Sequence, residues 1–430
     1  MKDFFKKIIV LILTAEAKLL LRRHRPMIIA VTGSVGKTSM KDAIYTVIKK
    51  HVSARKSEKS FNSEIGVPLT VLGLPNAWHN PFLWLKNIVD GLYIALFSRS
   101  YPAYLILETG VDRPGDMEKL TSWVKPDIVV LTRFPDVPVH VEFFSDPEAV
   151  VEEKMKLVTA LKPEGVVIYN HDDEVITNAL KGVRQQAIGF SRFLPAQFVA
   201  SDDEVFYNDD QPAGMAFTVT HFSEVERVKV SGVVGLQLLY TYTGALAVGM
   251  QCGIALRDAA RALEEHQPAP GRMRILSGLK GSVILDDTYN SSPAAAEQAL
   301  RTLKELKHAK RRIAVLGDML ELGRFSAREH ERIGEIVADC ADVLFTIGIR
   351  SQRTAEAALA HGLPETVIFQ YEDSARAGRE LQAYLQPGDV VLVKGSQGMR
   401  AERVVEEVMQ EPERAAELLV RQDEAWRAIV

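Results

Sequence analysis

The chain has 430 residues, 47% apolar and 25% charged, with a formal net charge of −4. That composition excludes a mostly disordered chain, a collagen-like repeat and a polytopic membrane protein, and the near-neutral balance gives no global basic field for nucleic acid. Two cysteines, Cys252 and Cys340, lack any CxxC partner, so neither a disulfide framework nor a Cys-rich zinc site is expected, and a reducing cytoplasm is the expected compartment.

Residues 1–26 read as an apolar, basic helix. Its uninterrupted apolar run, Ile8 to Leu13, falls far short of the about 20 residues a bilayer span needs. Glu16 and Lys18 interrupt it, and Arg22, Arg23 and Arg25 close it. No small-residue cleavage site supports a signal peptide. Two readings stay open: a helix packed on the domain, or peripheral contact of residues 4–25 with the inner face of the membrane, where Lys6, Lys7 and the arginines suit anionic lipid. A second stretch, Trp78 to Phe97, carries Trp84, Leu85, Ile88, Leu92 and Leu96 at helical spacing. Lys86, Asn87 and Asp90 argue against a simple span there and favour burial over membrane contact.

Met27 to Val31 is a short apolar run that enters a Gly-rich turn, followed by a helical pattern from Ser39 to about Lys50. Strand, phosphate loop and helix open an α/β nucleotide-binding domain. Strand-like runs recur at Tyr104–Leu107, Ile128–Leu131 and Val166–Tyr169 with helical segments between them, which predicts a mainly parallel sheet covered by helices. Residues from about 195 to 232 read as an antiparallel appendage. Two prolines and a glycine near 266–272 mark a break, after which strand and helix alternate again through Ser282–Leu285, 293–307, Arg312–Leu316, 326–339, Val343–Ile347, Val390–Val393 and Ala401–Met409. The expected domains are therefore 27–268, P-loop-type and ATP-binding, and 269–430, Rossmann-like.

Gly33-Ser34-Val35-Gly36-Lys37-Thr38 carries the active half of a Walker A loop, although Val31 stands where its first glycine would be. The glycines free backbone N–H groups to face phosphate oxygens, the lysine neutralises charge, and the Thr38 hydroxyl can ligate Mg²⁺.

This loop, PheAsnSerGluIleGlyValProLeuThr (61–70), LeuGluThrGly (107–110), HisValGluPhePhe (140–144), AspAspThrTyrAsnSerSerPro (286–293), LeuGlyAspMetLeuGluLeuGly (316–323) and LysGlySer (394–396) together resemble the Mur ligases. The likeness covers roughly 27 to 410, in order, and is greatest to the MurF-type branch, which adds D-alanyl-D-alanine to a muramoyl tripeptide. The resemblance implies an ATP-dependent carboxylate–amine ligase of peptidoglycan synthesis working through an acyl phosphate. It implies ATP contacts from Gly33, Ser34, Gly36, Lys37, Thr38, Ser39, Arg272, Asp287, Tyr289 and Asn290. Mg²⁺ would be held by Thr38, Glu108, His140 and Lys154, the last matching a lysine that is carbamylated in several members. Lys37, His140, Lys154 and Arg272 would be catalytic, with Arg272 at the hinge. Asn62, Glu64, Asp318, Glu321, His330, Lys394 and Ser396 would face the substrates, a muramoyl-peptide-like acid and a D-alanyl-D-alanine-like amine. Read without the resemblance, Lys154 could also sit on a solvated helix face, and Asp318 could simply cap a helix.

Three departures matter. Only about 26 residues precede the first strand, so the family's N-terminal UDP-sugar-binding domain is expected to be missing. ThrArgPhePro (132–135) replaces a Thr-Asn pair, and 235–241 replaces a Gly-x-His-Asn segment, with Thr241 near the position of an adenine-contacting residue. The competing readings are a Mur-like ligase acting on a polyglutamate-type or lipid-linked acid, and a regulatory protein that binds ATP without joining anything.

Overall fold

The computed structural model describes residues 2–58, 64–78 and 80–427. The first half runs α1 (Lys2–His24), β1 (Met27–Thr32), α2 (Lys37–Ile48), β2 (Ala54–Lys56), α3 (Gly66–Leu72), α4 (Pro81–Phe97) and β3 (Tyr104–Glu108). It continues with α5 (Asp116–Thr121), β4 (Ile128–Leu131), α6 (Pro147–Thr159), β5 (Val166–Asn170), α7 (Glu174–Ala179) and β6 (Gln186–Ser191). Three longer strands follow, β7 (Phe198–Asn208), β8 (Gln211–His221) and β9 (Glu224–Ser231), then α8 (Leu236–Gln251) and α9 (Leu256–Glu264). The second half is β10 (Arg274–Ser277), β11 (Val283–Asp287), α10 (Pro293–Glu305), β12 (Arg311–Gly317), α11 (Ser326–Cys340) and β13 (Val343–Ile347). It ends with α12 (Gln352–Ala360), β14 (Ile368–Tyr371), α13 (Ser374–Tyr384), β15 (Asp389–Lys394) and α14 (Glu402–Val408).

Among the described residues these strands form a nine-stranded sheet, ordered β2-β3-β1-β4-β5-β6-β7-β8-β9, and a six-stranded sheet, ordered β10-β11-β15-β12-β13-β14. The chain is thus α/β with mainly parallel sheets. The expected antiparallel segment is the β7–β8–β9 meander, which continues the first sheet through a parallel β6–β7 pairing. In the second sheet only β10 runs antiparallel. The central strands are buried apolar runs, as strands covered on both faces must be. Helix starts follow local chemistry: Asp146, Asp173, Ser292 and Asp373 each accept a hydrogen bond from a first-turn N–H of the helix they precede.

One face of the first sheet packs on α2, α8 and α9 through Met40, Ile44, Leu239, Leu246 and Leu263. On the other face Leu13, Ala17 and Leu20 of α1 join Val67 and Leu72 of α3 and Leu105 and Leu107 of β3. The N-terminal helix is therefore packed on the body of the protein, and no helix among the described residues is long and apolar enough to cross a membrane. The expectation for Trp78 to Phe97 needs correction. Trp84, Ile88 and Ile94 do pack, partly buried, against the core beside buried Asn87, Gly91 and Ala95, whereas Leu85, Leu92 and Leu96 are exposed. The small residue Gly91 lets α4 lie close against α1 at Glu16, and the large side chains on the far side of α4 stay outside.

Candidate active site

The order of the first sheet sets the site. β1 lies between β3 and β4, so the chain crosses the sheet in opposite senses on either side of it and leaves a crevice at the strand ends. Parallel register places Glu108, the last residue of β3, beside Val31. The loop leaving β1 then needs two glycines. Gly33 has φ +150°, and a Cβ there would lie 1.9 Å from Thr132 Oγ1. Gly36, at φ +85°, holds the left-handed turn from which α2 starts. The free N–H groups of the first turn of α2 and its dipole favour an anion here.

Lys37 Nζ donates to Gly33 O at 2.8 Å, folded back over the loop. Burial lowers its pKa and the Arg272 charge adds to this, while Glu108 opposes. Thr38 Oγ1 donates to Glu108 Oε1 at 3.1 Å and accepts from Arg272 Nη2 at 3.1 Å. The Arg272 guanidinium lies 3.9 Å from the centre of the Tyr289 ring. Residues from both halves of the chain thus meet at one hydroxyl.

A cavity of about 290 Å³ opens over this point, lined by Ser34, Gly36, Lys37, Thr38, Ser39, Glu108 and His140 from the first half and by Arg272, Asp287, Tyr289, Asn290 and Lys394 from the second. Several of its polar atoms are buried without a hydrogen-bond partner: Glu108 Oε2, Arg272 Nε, Gln237 Oε1 and Gln298 Oε1. Such orphans are costly unless a polar ligand satisfies them. A second cavity, about 910 Å³, shares Thr38, Arg272, Tyr289 and Gln397 with the first and extends past Lys41, Lys56, Trp78, Arg421 and Trp426. The two spaces meet at the Thr38–Arg272 contact.

The donor set fits a hard cation. Thr38 Oγ1 and the Glu108 carboxylate offer oxygen, and Lys41 Nζ lies 3.6 Å from Glu108 Oε2. No group of three or more His, Cys, Asp or Glu side chains among the described residues could hold a metal by itself. The Thr38 and Glu108 oxygens match Mg²⁺, which typically takes one or two protein ligands and completes its shell with water and phosphate. His140 lines the same cavity in a left-handed conformation, φ +67°. Its Nδ1 lies 2.6 Å from Glu321 Oε2 and its Nε2 3.5 Å from Asp112 Oδ1, and the His140 contact lowers the Glu321 pKa. Lys154 is buried and lines neither cavity. Burial, then the charge of Lys37, brings its pKa down to about 7. A solvated helix face is therefore excluded for Lys154.

The expected substrate residues divide. Lys394 lines the cavity, with Nζ 2.6 Å from Asp287 Oδ2 and donating to Asn290 O at 2.9 Å. Glu321 reaches the site through His140. Asp318, His330 and Ser396 turn inward instead. Asp318 Oδ1 accepts from Ser351 N at 2.8 Å. His330 Nε2 accepts from Met319 N at 3.0 Å while Nδ1 lies 2.7 Å from Ser326 O, and Ser396 Oγ accepts from Leu320 N at 2.9 Å. These three brace the 317–323 loop that presents Glu321, and both His330 ring nitrogens are occupied in doing so. Glu64 is half-exposed, pairs with Lys6 at 2.9 Å and lines neither cavity. Asn62 lies outside the described residues.

Sequence reasoning missed the residues that hold the hinge arginine in place. Asp286 Oδ2 accepts from Gly271 N at 2.9 Å and its Oδ1 from Thr288 Oγ1 at 2.6 Å, and burial pushes its pKa up to about 6. Arg421 donates to the Thr288 and Tyr289 carbonyls and pairs with buried Glu402 at 2.8 Å. Asp286 carried a signal, being next to Asp287. Arg421, more than 130 positions away in sequence, carried none. Thr241 and Arg133, both noted as departures, line the first cavity.

The Mur ligase middle domain family matches residues 91–248, and the Mur ligase glutamate ligase domain family matches residues 271–397. The UDP-N-acetylmuramoyl-tripeptide–D-alanyl-D-alanine ligase of Bacillus subtilis is 28% identical over 398 residues, covering 92% of this chain and 79% of that protein. The ligase of the same name from Mycobacterium leprae is 30% identical over 391 residues, covering 86% of this chain and 71% of its own length. The crystal structure of the MurF ligase of Thermotoga maritima in complex with ADP superposes with a TM-score of 0.75 at 25% identity, over 94% of this chain and 84% of that one. A phosphate loop facing an arginine across a two-sheet crevice agrees with these matches, and the chain belongs to the Mur ligase family of ATP-dependent amide-bond ligases.

Proposed function

We propose that this ligase joins D-alanyl-D-alanine to a muramoyl tripeptide in peptidoglycan synthesis, with ATP in the smaller cavity and the acid and amine in the larger one. The observation that carries the reading is the junction of the two cavities at Thr38 and Arg272. A nucleotide in the first cavity, with its phosphates along the loop from Ser34 to Ser39, ends its triphosphate where the second cavity begins. Similarity to ligases of this name from Bacillus subtilis and Mycobacterium leprae supports the choice of acid and amine.

In this reading the substrate carboxylate oxygen attacks the γ-phosphorus and ADP leaves. The amine nitrogen then attacks the acyl carbon, phosphate leaves with the bonding pair, and the nitrogen loses a proton. Lys37 swings from the Gly33 carbonyl onto the β- and γ-phosphate oxygens, and Arg272 moves no further than its contact with Thr38 to reach the transferring group. Bound Mg²⁺, held by Thr38 and Glu108 with His140 nearby, would neutralise phosphate charge. Lys394 keeps Asp287 and Asn290 in place at the opposite wall. Closing the two halves over the cavities would exclude water from the acyl phosphate.

The test is a product mass. Enzyme, Mg²⁺, ATP, UDP-muramoyl tripeptide and D-alanyl-D-alanine should yield ADP, phosphate and a species equal to acid plus dipeptide minus water. Equal phosphate release with and without the dipeptide would remove the amine assignment.

A further inference from the structure

We propose that α1 and α4 form a docking face for the surface of an anionic lipid bilayer. Exposed positions of α4 fall on one stripe at three- and four-residue spacing, through Phe82, Leu85, Val89, Leu92 and Leu96, with Phe97 also exposed at the helix end, and Phe82 is 80% exposed. A helix of a water-facing surface puts its large apolar residues inward. α4 does so with only part of its apolar surface: Trp84, Ile88 and Ile94 pack inward beside Asn87, Gly91 and Ala95, and the stripe stays outside. α1 lies beside it in the same sense, since Glu16 sits over Gly91 and Arg23 donates to the carbonyls of Ala95 and Leu96. On α1 a second stripe, Ile8, Leu11 and Leu19, is exposed too, with Leu11 at 71%.

A contiguous apolar surface of this kind marks an interaction site. Charge decides the occupant. Among the described residues, the ionic groups on and beside the stripes are Lys6, Lys7, Arg22, Arg23, Arg25, Lys86 and Arg99, against Asp90, which Lys86 already pairs, and Glu64, which Lys6 pairs. Glu16 is buried in the seam. Apolar side chains flanked by arginines that form no ion pair with a described carboxylate match lipid tails beneath anionic headgroups. In a two-fold dimer through the same patch, each arginine cluster would face a copy of the same surface. The helices lie on the sheet face opposite α2, so the nucleotide cavity stays open to solution when the face is covered.

The test is flotation of the full chain with vesicles of phosphatidylcholine alone or mixed with phosphatidylglycerol, at low and high salt. Partition onto the anionic vesicles should exceed that onto neutral ones by at least about tenfold and fall as salt screens the arginines. The paired change Leu85→Glu with Leu92→Glu, and separately Arg22→Glu with Arg99→Glu, should each lower it by about tenfold or more, with circular dichroism and ATP turnover unchanged. Phe222→Glu, an equally exposed apolar residue on the turn after β8, should leave it unaltered. No preference of the wild-type chain for anionic vesicles would overturn the proposal. So would a concentration-dependent dimer, abolished by the same variants, in a chain that ignores vesicles of either kind.

Discussion

Replacing Arg272 by alanine isolates the contact on which the two-sheet site turns. The guanidinium makes one hydrogen bond to Thr38 at 3.1 Å and stacks on Tyr289 at 3.9 Å. Without nucleotide, those contacts are worth about 1 kcal/mol each, so the variant should fold with only a small loss of stability. In the transition state the same cation faces the charge of a transferring phosphoryl group inside a crevice, where one preorganised donor is worth about 3 kcal/mol. That converts to a fall in kcat of roughly 150-fold. Arg272→Lys keeps the charge but loses the planar stack and the fork of donors, and should recover only part of the loss. Steady-state ADP release at saturating acid and amine measures the effect, alongside a thermal melt. A kcat within about threefold of wild type would refute the reasoning. A loss appearing wholly in the KM for ATP would show instead that the guanidinium binds the ground state alone.

Lys394→Met leaves the Asp287 carboxylate without its cation in a buried wall, and should lower unfolding stability by about 3–5 kcal/mol, read from the denaturant midpoint. Lys154, with a pKa of about 7, is about nine-tenths neutral at pH 8 and about one-tenth neutral at pH 6. Its amine should therefore take up CO₂ to form a carbamate. Activity should fall in CO₂-depleted buffer and return with bicarbonate, more fully at pH 8 than at pH 6, whereas a Lys154→Arg enzyme should show no bicarbonate response. Glu16 has its pKa raised from 4.5 to about 7 by burial in the α1–α4 seam. Between those values the folded chain holds a proton that the unfolded chain releases, so stability drops as pH rises through the window. Glu16→Gln should stabilise the protein by about 2 kcal/mol at pH 8, once partial access of water to the seam is allowed for, and by almost nothing at pH 4. Equal effects at both pH values in urea titrations would contradict the buried, protonated state.

Local chemistry settled a good deal of this protein before any tertiary contact was known. The Gly33–Thr38 loop announces an anion site because only backbone free of Cβ can make that turn, and the strand–loop–helix order fixes which end of the sheet it occupies. Asp287, Tyr289 and Asn290 were legible for a similar reason, lying at the end of a strand and just beyond it. What the sequence left open depends on which distant side chains share a space. His330 and Ser396 look like site residues in a motif, yet burial commits their polar atoms to bracing a loop. Arg421 and Gln298 join the site from segments that no short pattern links to it. The two apolar helices show the division most sharply. Their hydrophobicity is written in composition, but which side of each is buried is decided by packing. Gly91 and Ala95 admit a neighbouring helix where larger residues would not, so Trp84, Ile88 and Ile94 pack inward while Leu85, Leu92 and Leu96 are left outward.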